Sequence, residues 1–288
     1  MDERTYSVAK HVVFFETDVG GLGNFFDELF AAFRHDLALP CRRVTTTVRY
    51  GIYEHPDGVS LRIGADLYQT RHLEHAVDKM LRKISYSAIT SVRECLVIHA
   101  GVVCRRNECL ILPAASGSGK TTLTAALVRA GWGYMSDEAA FLDLRTGLVY
   151  PFPRPLGLSA ASIRRLALDL DTFDGGLDWE EGAERFVAPD RLRPGCSGGA
   201  TPLRMMITPA YEPGANSRVE PIRRAEGMLA AIANSMNLES FGKSGFSELA
   251  ALVRGVKSYG IRVDDLDAAV EEIQRVFEQR TADSEDTT

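Results

Sequence analysis

The sequence has no CxxC cysteine pair, no excess of basic charge and no long apolar run, and each absence removes a class of function. Its five cysteines, at 41, 95, 104, 109 and 196, are odd in number and scattered, and three lie in or beside apolar strand-like stretches. That usage reads as reduced, structural thiols of a cytoplasmic protein, not as a zinc site or a disulfide framework. Asp and Glu outnumber Lys and Arg by 39 to 33, giving a net charge of −6. A nucleic-acid coat or a binder of anionic membranes is usually basic, so neither partner is expected. No apolar run approaches the ~18 residues that span a bilayer, and the opening MDERTYSVAK holds no signal-like apolar region. Internal repeats are absent too. What remains is an ordinary globular composition, 45% hydrophobic and 25% charged over 288 residues, enough for one large domain or one domain with a smaller companion.

Residues 1–90 read as an α+β region. The stretches 8–15, 44–55 and 59–67 are rich in β-branched and aromatic residues and predict strands, with the turn HPDG (55–58) before the third. Leu73, Ala76, Val77, Met80, Leu81 and Ile84 recur at three- and four-residue steps, which predicts an amphipathic helix. VGGLGNFF (19–26) lacks the rest of a dinucleotide fingerprint and reads as a mobile turn before a helix. His72 and His75 read as helix surface, while His11, His35 and His55 show no ligand partners at metal-binding spacing.

From residue 92 the character changes. Residues 95–104 and 108–114 predict two buried strands joined by the polar tip RRN, and a glycine turn follows the second. A helix over 120–129, ended by GWG (131–133), leads into further strand in YMSDEAAFLDL. YPFPRPLG (150–157) is loop, because three prolines in eight residues leave too few backbone donors for a central strand. Residues 169–202, rich in Gly, Asp and Pro, read as a long surface excursion. The C-terminal part reads as helical and closes with Leu266, Val270, Ile273 and Phe277 on one face behind the start signal Asp264-Asp265. The expected division is 1–90 as an N-terminal, candidate acceptor-binding region, 91–280 as the core and 281–288 as a disordered tail.

The chemistry is concentrated after residue 112. The octet AASGSGKT (114–121) is a phosphate-loop pattern with alanine at the first glycine position. With a strand running in and a helix running out, small residues let successive backbone N–H groups turn towards one anion. Ala115, Ser116, Gly117, Ser118, Gly119, Lys120, Thr121 and Thr122 are therefore the nucleotide-binding candidates. Lys120 has the reach for the β- and γ-phosphates, and the Thr121 hydroxyl suits Mg2+.

Asp137 and Glu138 follow only 17 and 18 residues after that lysine, at the end of the next strand. The short spacing brings two carboxylates to the γ-phosphate end of the loop. One can hold magnesium through a water while the other accepts a proton from an attacking hydroxyl, and the spacing leaves open which does which. Two neighbouring acids beside a dication also allow one pKa to differ from the other, as that division of labour requires. His99 ends the strand LVIH, one strand before the loop. The catalytic candidates are thus Asp137, Glu138, His99 and Lys120, and the metal candidates Thr121, Asp137 and Glu138.

This set resembles the HPr kinase/phosphorylase family, particularly its HPr-related kinase branch. That family carries His-Gly, a strand pair, GxSGxGKS and a short strand ending in Asp-Asp. Here stand His99-Ala100, the strand pair, ASGSGKT and Ser136-Asp137-Glu138. The blocks LPA-SGSGKTTL, SDE and PFPRP look like the related-kinase branch more than the enzyme that modifies HPr itself. The resemblance implies an α/β fold whose core, over roughly residues 91–280, is the compact P-loop type shared with phosphoenolpyruvate carboxykinase. It implies ATP and Mg2+ as cofactors and a serine-kinase-like phosphotransferase acting on a protein or peptide, such as a ribosomally made peptide. The rings formed by the family make a homo-oligomer an expectation by analogy. His99 matches the family's active-site histidine, and Asp137 falls where its proton-accepting or metal-linked acid sits. The family's later motif, an acid followed by Arg-Gly-Leu-Gly, has no clear counterpart; PRPLG (153–157) stands in its place and makes Arg154 a candidate phosphate contact. Two other readings stay open. One is a nucleotide-binding scaffold without transfer activity, which the complete set of Lys120, Thr121, Asp137 and Glu138 argues against; the other is a kinase of a small hydroxylated metabolite.

Overall fold

The computed structural model describes residues 1–9, 11–34, 46–169, 177, 179–180 and 182–285, in a mixed α/β arrangement with several sheets. In chain order the first elements are β1 (Asp2–Val8), β2 (His11–Thr17), α1 (Leu22–Leu29), β3 (Thr46–His55), β4 (Gly58–Ile63), β5 (Asp66–Thr70) and α2 (Leu73–Ser91). Then come β6 (Leu96–Arg105), β7 (Glu108–Pro113), α3 (Lys120–Arg129), β8 (Gly133–Ser136), β9 (Ala139–Leu142), β10 (Leu148–Tyr150), β11 (Leu156–Leu158) and α4 (Ala160–Arg165). The remainder is β12 (Arg185–Val187), α5 (Pro189–Leu192), β13 (Thr201–Tyr211), β14 (Val219–Pro221), α6 (Arg224–Ala233), α7 (Gly242–Gly255), β15 (Lys257–Val263) and α8 (Leu266–Glu285). The chain divides into two compact units, Met1–Glu94 with Phe152–Gly195, and Cys95–Pro151 with Cys196–Thr288.

In the first unit β1 to β5 lie in sequence order in one sheet. The strand expected over 8–15 is instead part of a hairpin: Ala9 takes the left-handed region at φ 52°, and Val8 pairs with His11 across the turn. The stretch 59–67 likewise folds back on itself around Gly64, at φ 58°, so that Ile63 pairs with Asp66. The apolar stripe of α2 is buried and packs on β4. Aromatic rings bind the segment Phe152–Gly195, which the sequence reading kept with residues 91–280, into this unit. Phe152 meets Phe33 at 5.4 Å and Trp179 meets Phe25 at 5.4 Å between centroids. Such pairs add roughly 0.5–1.5 kcal/mol each beyond the area they bury.

The second unit is built on a sheet ordered β10-β9-β6-β7-β13-β15-β14, with β8 beside β6 and β10 also paired to β13. β6 and β7 are the expected antiparallel pair, turning at Arg106 and Asn107 with φ 51° and 61°. β7, β13 and β15 run parallel, while the most deeply buried strands are β6, β7 and β9. Three strands correct the helical reading of the C-terminal part: α6, α7 and α8 are helices, but β13 and β14 precede them and β15 lies between α7 and α8. α8 also runs on to Glu285, into the segment expected to be a disordered tail; 286–288 lie outside the described residues. Trp132, fully buried, meets Phe277 of α8 edge-on at 4.7 Å, which fixes the end of α3.

None of the four described cysteines forms a disulfide, Cys41 lies outside the described residues, and burial pushes the Cys109 thiol pKa well up. Among the described residues, no helix is long and apolar enough to cross a membrane.

One glycine ties β6 to α3. A Cβ at Gly101 would meet the Thr124 hydroxyl oxygen at 2.2 Å and Lys120 Cγ at 3.3 Å. Thr124 is fully buried, and its hydroxyl donates to the Lys120 carbonyl at 2.9 Å. Gly101→Ala is therefore expected to destabilise by about 1–3 kcal/mol, the usual range for overpacking. Denaturant unfolding would check it, and an unchanged midpoint would show that α3 can move away freely.

Candidate active site

The site grows from the carboxyl end of β7. β13 runs parallel to it, with Leu203 paired to Cys109 and Met206 to Ile111, so the turn after Pro113 lies where parallel sheets offer ligands their crevice. Ala114 is buried, and the chain then surfaces through Ala115, Ser116 and Gly117. Ser118 N–H closes the turn on Ala115 carbonyl oxygen at 3.4 Å. Gly117 and Gly119 sit at φ 84° and 83°, which is why these two positions are glycine. α3 begins at once with Lys120, and its first ladder bond is Leu123 N–H to Gly119 carbonyl at 3.0 Å. The N–H groups of the opening turn stand ahead of that ladder, at the positive end of a ten-residue helix.

The Lys120 side chain turns inward and is only 5% exposed. Its Nζ lies 3.0 Å from His99 Nε2 and donates to the Ala114 carbonyl at 3.3 Å. Burial lowers its pKa, against the opposing pull of Glu138 and then Asp137. His99 Nδ1 is 2.9 Å from the Glu138 carbonyl oxygen. A carbonyl only accepts, so the proton is assigned to Nδ1, leaving Nε2 to accept from the ammonium. The backbone around His99 is held from the other side as well. Its N–H donates to Asn234 carbonyl at 2.7 Å. The Asn237 amide accepts from Val97 N–H at 2.8 Å and donates to Cys95 carbonyl at 3.0 Å. No motif announces Asn234 or Asn237, since their role depends on a contact between distant parts of the chain.

Asp137 and Glu138 form the turn between β8 and β9. Ser136 makes that turn, because its hydroxyl accepts from Glu138 N–H at 3.1 Å and Ala139 N–H at 3.0 Å. Asp137 is buried, and its Oδ1 accepts from the Tyr134 hydroxyl at 3.4 Å. The Glu138 side chain is 31% exposed, with Oε1 3.4 Å from His99 Nδ1. Lys120, His99 and Glu138 thus share direct contacts, and the charge of Asp137 acts on the same lysine. Thr121 and Thr122 lie half-buried in the first turn of α3. Arg154 belongs to the first unit, where it is buried and its Nε donates to Pro155 carbonyl at 3.2 Å.

Tyr211, which the sequence reading missed, ends β13 beside the glycine turn: a Cβ at Gly119 would sit 3.8 Å from Tyr211 Cβ, and the tyrosine is 43% exposed. The signal that could have found it was the strand itself, hidden in a stretch read as helical.

A buried ammonium, a neutral imidazole and two carboxylates around a helix N-terminus can bind a polyanion with its counter-cation and hold a proton. The donors suit a nucleotide with magnesium. The Ser118 hydroxyl is buried and, among the described residues, meets no hydrogen-bond partner. Hydroxyl and carboxylate oxygens are the hard ligands that Mg2+ prefers.

No family model matches the chain, and no curated protein matches it. Among solved structures it is similar to the Hpr(Ser) kinase/phosphatase from Coxiella burnetii, at 9% identity and a TM-score of 0.35, over 66% of this chain and 97% of that one.

Proposed function

We propose that the second unit transfers the γ-phosphate of ATP, with magnesium, to a hydroxyl, and that the acceptor is a serine of a protein or peptide. The observation that carries this reading is the buried Lys120 ammonium at a glycine turn, resting on His99 in the field of Asp137 and Glu138. Residues 115–122 would hold the phosphates, and Thr121 and Asp137 the metal. Bound magnesium supplies charge neutralisation of the phosphates.

The remaining work falls to side chains of this chain. Lys120 exchanges its contact with His99 for a charge-assisted bond to phosphate oxygen. Glu138, the more exposed of the two acids, takes the proton of the incoming hydroxyl, while the buried and Tyr134-bonded Asp137 serves as the metal's partner. His99, donating through Nδ1 to the Glu138 backbone, keeps that acid's turn in register with the loop.

Incubation with γ-labelled ATP, magnesium, and host proteins and peptides tests the proposal. Labelled serine is the expected result. Steady ADP release only on addition of a small hydroxylated compound would move the acceptor to metabolites. Bound nucleotide with neither transfer nor turnover would overturn the kinase in favour of a nucleotide-binding scaffold.

A further inference from the structure

The first unit contains a cavity of about 480 Å3 lined by Glu54, Arg71, His72, Glu74, Trp179 and Glu180 among others. Three of these converge. His72 Nδ1 is 3.6 Å from Glu74 Oε1 and 3.5 Å from Glu180 Oε2, and the three donor atoms all lie within 4.8 Å of one another. The sequence shows nothing of this, because Glu180 lies far from the other two and enters only through the fold.

Each donor is placed by its own element. His72 is the extended residue preceding α2, and Glu74 stands in that helix's first turn. Glu180 is held through its backbone, whose carbonyl accepts from the buried Arg185 guanidinium at 3.3 Å. The neighbouring Trp179 packs on Phe25 and lies 5.6 Å under the same guanidinium. Packing therefore fixes the backbone of this acid, whose side chain is 52% exposed.

Glu74 is the anomalous member. It is 4% exposed, and its Oε1 has no hydrogen-bond donor among the described residues, although it faces the cavity with His72. A carboxylate taken from water without a donor is costly, so the position calls for a counter-charge. The lining adds to that demand, with three carboxylates against the single guanidinium of Arg71.

We propose that His72, Glu74 and Glu180 bind a divalent cation of the zinc class. An imidazole donor disfavours the oxygen-seeking Ca2+ and Mg2+, and the spacing agrees with that choice. Two donors ~2.1 Å from a tetrahedral centre stand about 3.4 Å apart, whereas cis donors of an octahedral magnesium stand ~3.0 Å apart. The observed 3.5 and 3.6 Å match the tetrahedral case. One imidazole and two carboxylates are ligands zinc accepts, and three protein ligands leave the fourth position open to the cavity for water or an anionic ligand. This site is independent of the phosphate loop and does not rest on the function proposed for it.

The full chain, stripped with a chelator, reloaded with Zn2+ and dialysed, is expected to retain roughly one zinc per chain and to melt higher than the stripped protein. His72→Ala and Glu74→Gln should each weaken zinc retention, measured against a chromophoric chelator, by at least about 100-fold, the upper end of what losing a mere supporting partner costs. His72 is 41% exposed in its side chain, so His72→Ala should fold normally and melt like wild type in chelator. Cobalt substituted for zinc should give a tetrahedral visible spectrum without thiolate charge-transfer bands, and the Asp137→Asn, Glu138→Gln double variant should keep its zinc. Failure to retain zinc, retention untouched by His72→Ala and Glu74→Gln, or loss in the double variant would each overturn the site.

Discussion

Replacing Lys120 by methionine is expected to cut phosphate transfer by roughly a hundred- to a thousandfold while leaving the unliganded protein at least as stable as wild type. The two effects have separate causes. A charge-assisted hydrogen bond contributes about 1.5–3 kcal/mol, so nucleotide affinity should fall roughly ten- to hundredfold. Transfer should fall further, by roughly a hundred- to a thousandfold, because the same ammonium meets charge that builds up in the transition state. Stability moves the other way. The folded-state pKa of Lys120 is lowered, chiefly by burial. Between that value and the unfolded one, the unfolded chain binds more protons, so wild-type stability rises with pH through that window. At neutral pH the buried charge is thus a liability that methionine removes. Thermal melts with and without magnesium-ATP would read stability and binding, as an unshifted or raised baseline melt and a diminished nucleotide-induced rise, and γ-labelled ATP would read transfer. A nucleotide-induced rise equal to wild type's would sink the assignment of Lys120 to phosphate.

Glu138→Gln is expected to cut transfer by roughly a hundred- to ten-thousandfold, the span associated with losing a general base, while nucleotide and magnesium still bind. Asp137→Asn should behave differently. It removes charge from a residue that is buried and bonded to Tyr134, so the metal requirement should rise and transfer should recover in part at high magnesium. Transfer rates measured across a magnesium titration would separate the two. If instead Asp137→Asn is dead at every magnesium concentration and Glu138→Gln is rescued, the two roles are exchanged.

The local part of the site was legible because its signals are local. Gly117 and Gly119 announce left-handed backbone, the apolar runs on either side of RRN announce paired strands, and Ser136 stands two residues before the glutamate whose N–H it accepts. What could not be read depends on chain far away or on conformations without a residue code. Ala9 turns the first hairpin at φ 52° although alanine does not advertise that region, so β1 is missed and only its last residue, Val8, is read, as part of the strand over 8–15. β13 carries Pro202 and Pro209 and adjoins a Gly- and Pro-rich stretch, which masks a central strand. The direct bond between Lys120 and His99 was only implied by strand adjacency, and the support from Asn234 and Asn237 was invisible.

The interleaving of the two units also bears on how the chain is made. The ribosome delivers residues 95–151 of the second unit before the first unit has received Phe152–Gly195. Phe33 and Phe25 must wait for Phe152 and Trp179, so the aromatic face of the first unit is uncovered while foreign chain is still emerging. β7 waits longer still for its parallel neighbour β13, and β13 for β15. A nascent chain stopped at 195 holds every residue of the first unit but only one of the three parallel strands of the second. Synthesis therefore completes the units in the order of their last segments, and the phosphate loop is the late product of translation although its own residues are early.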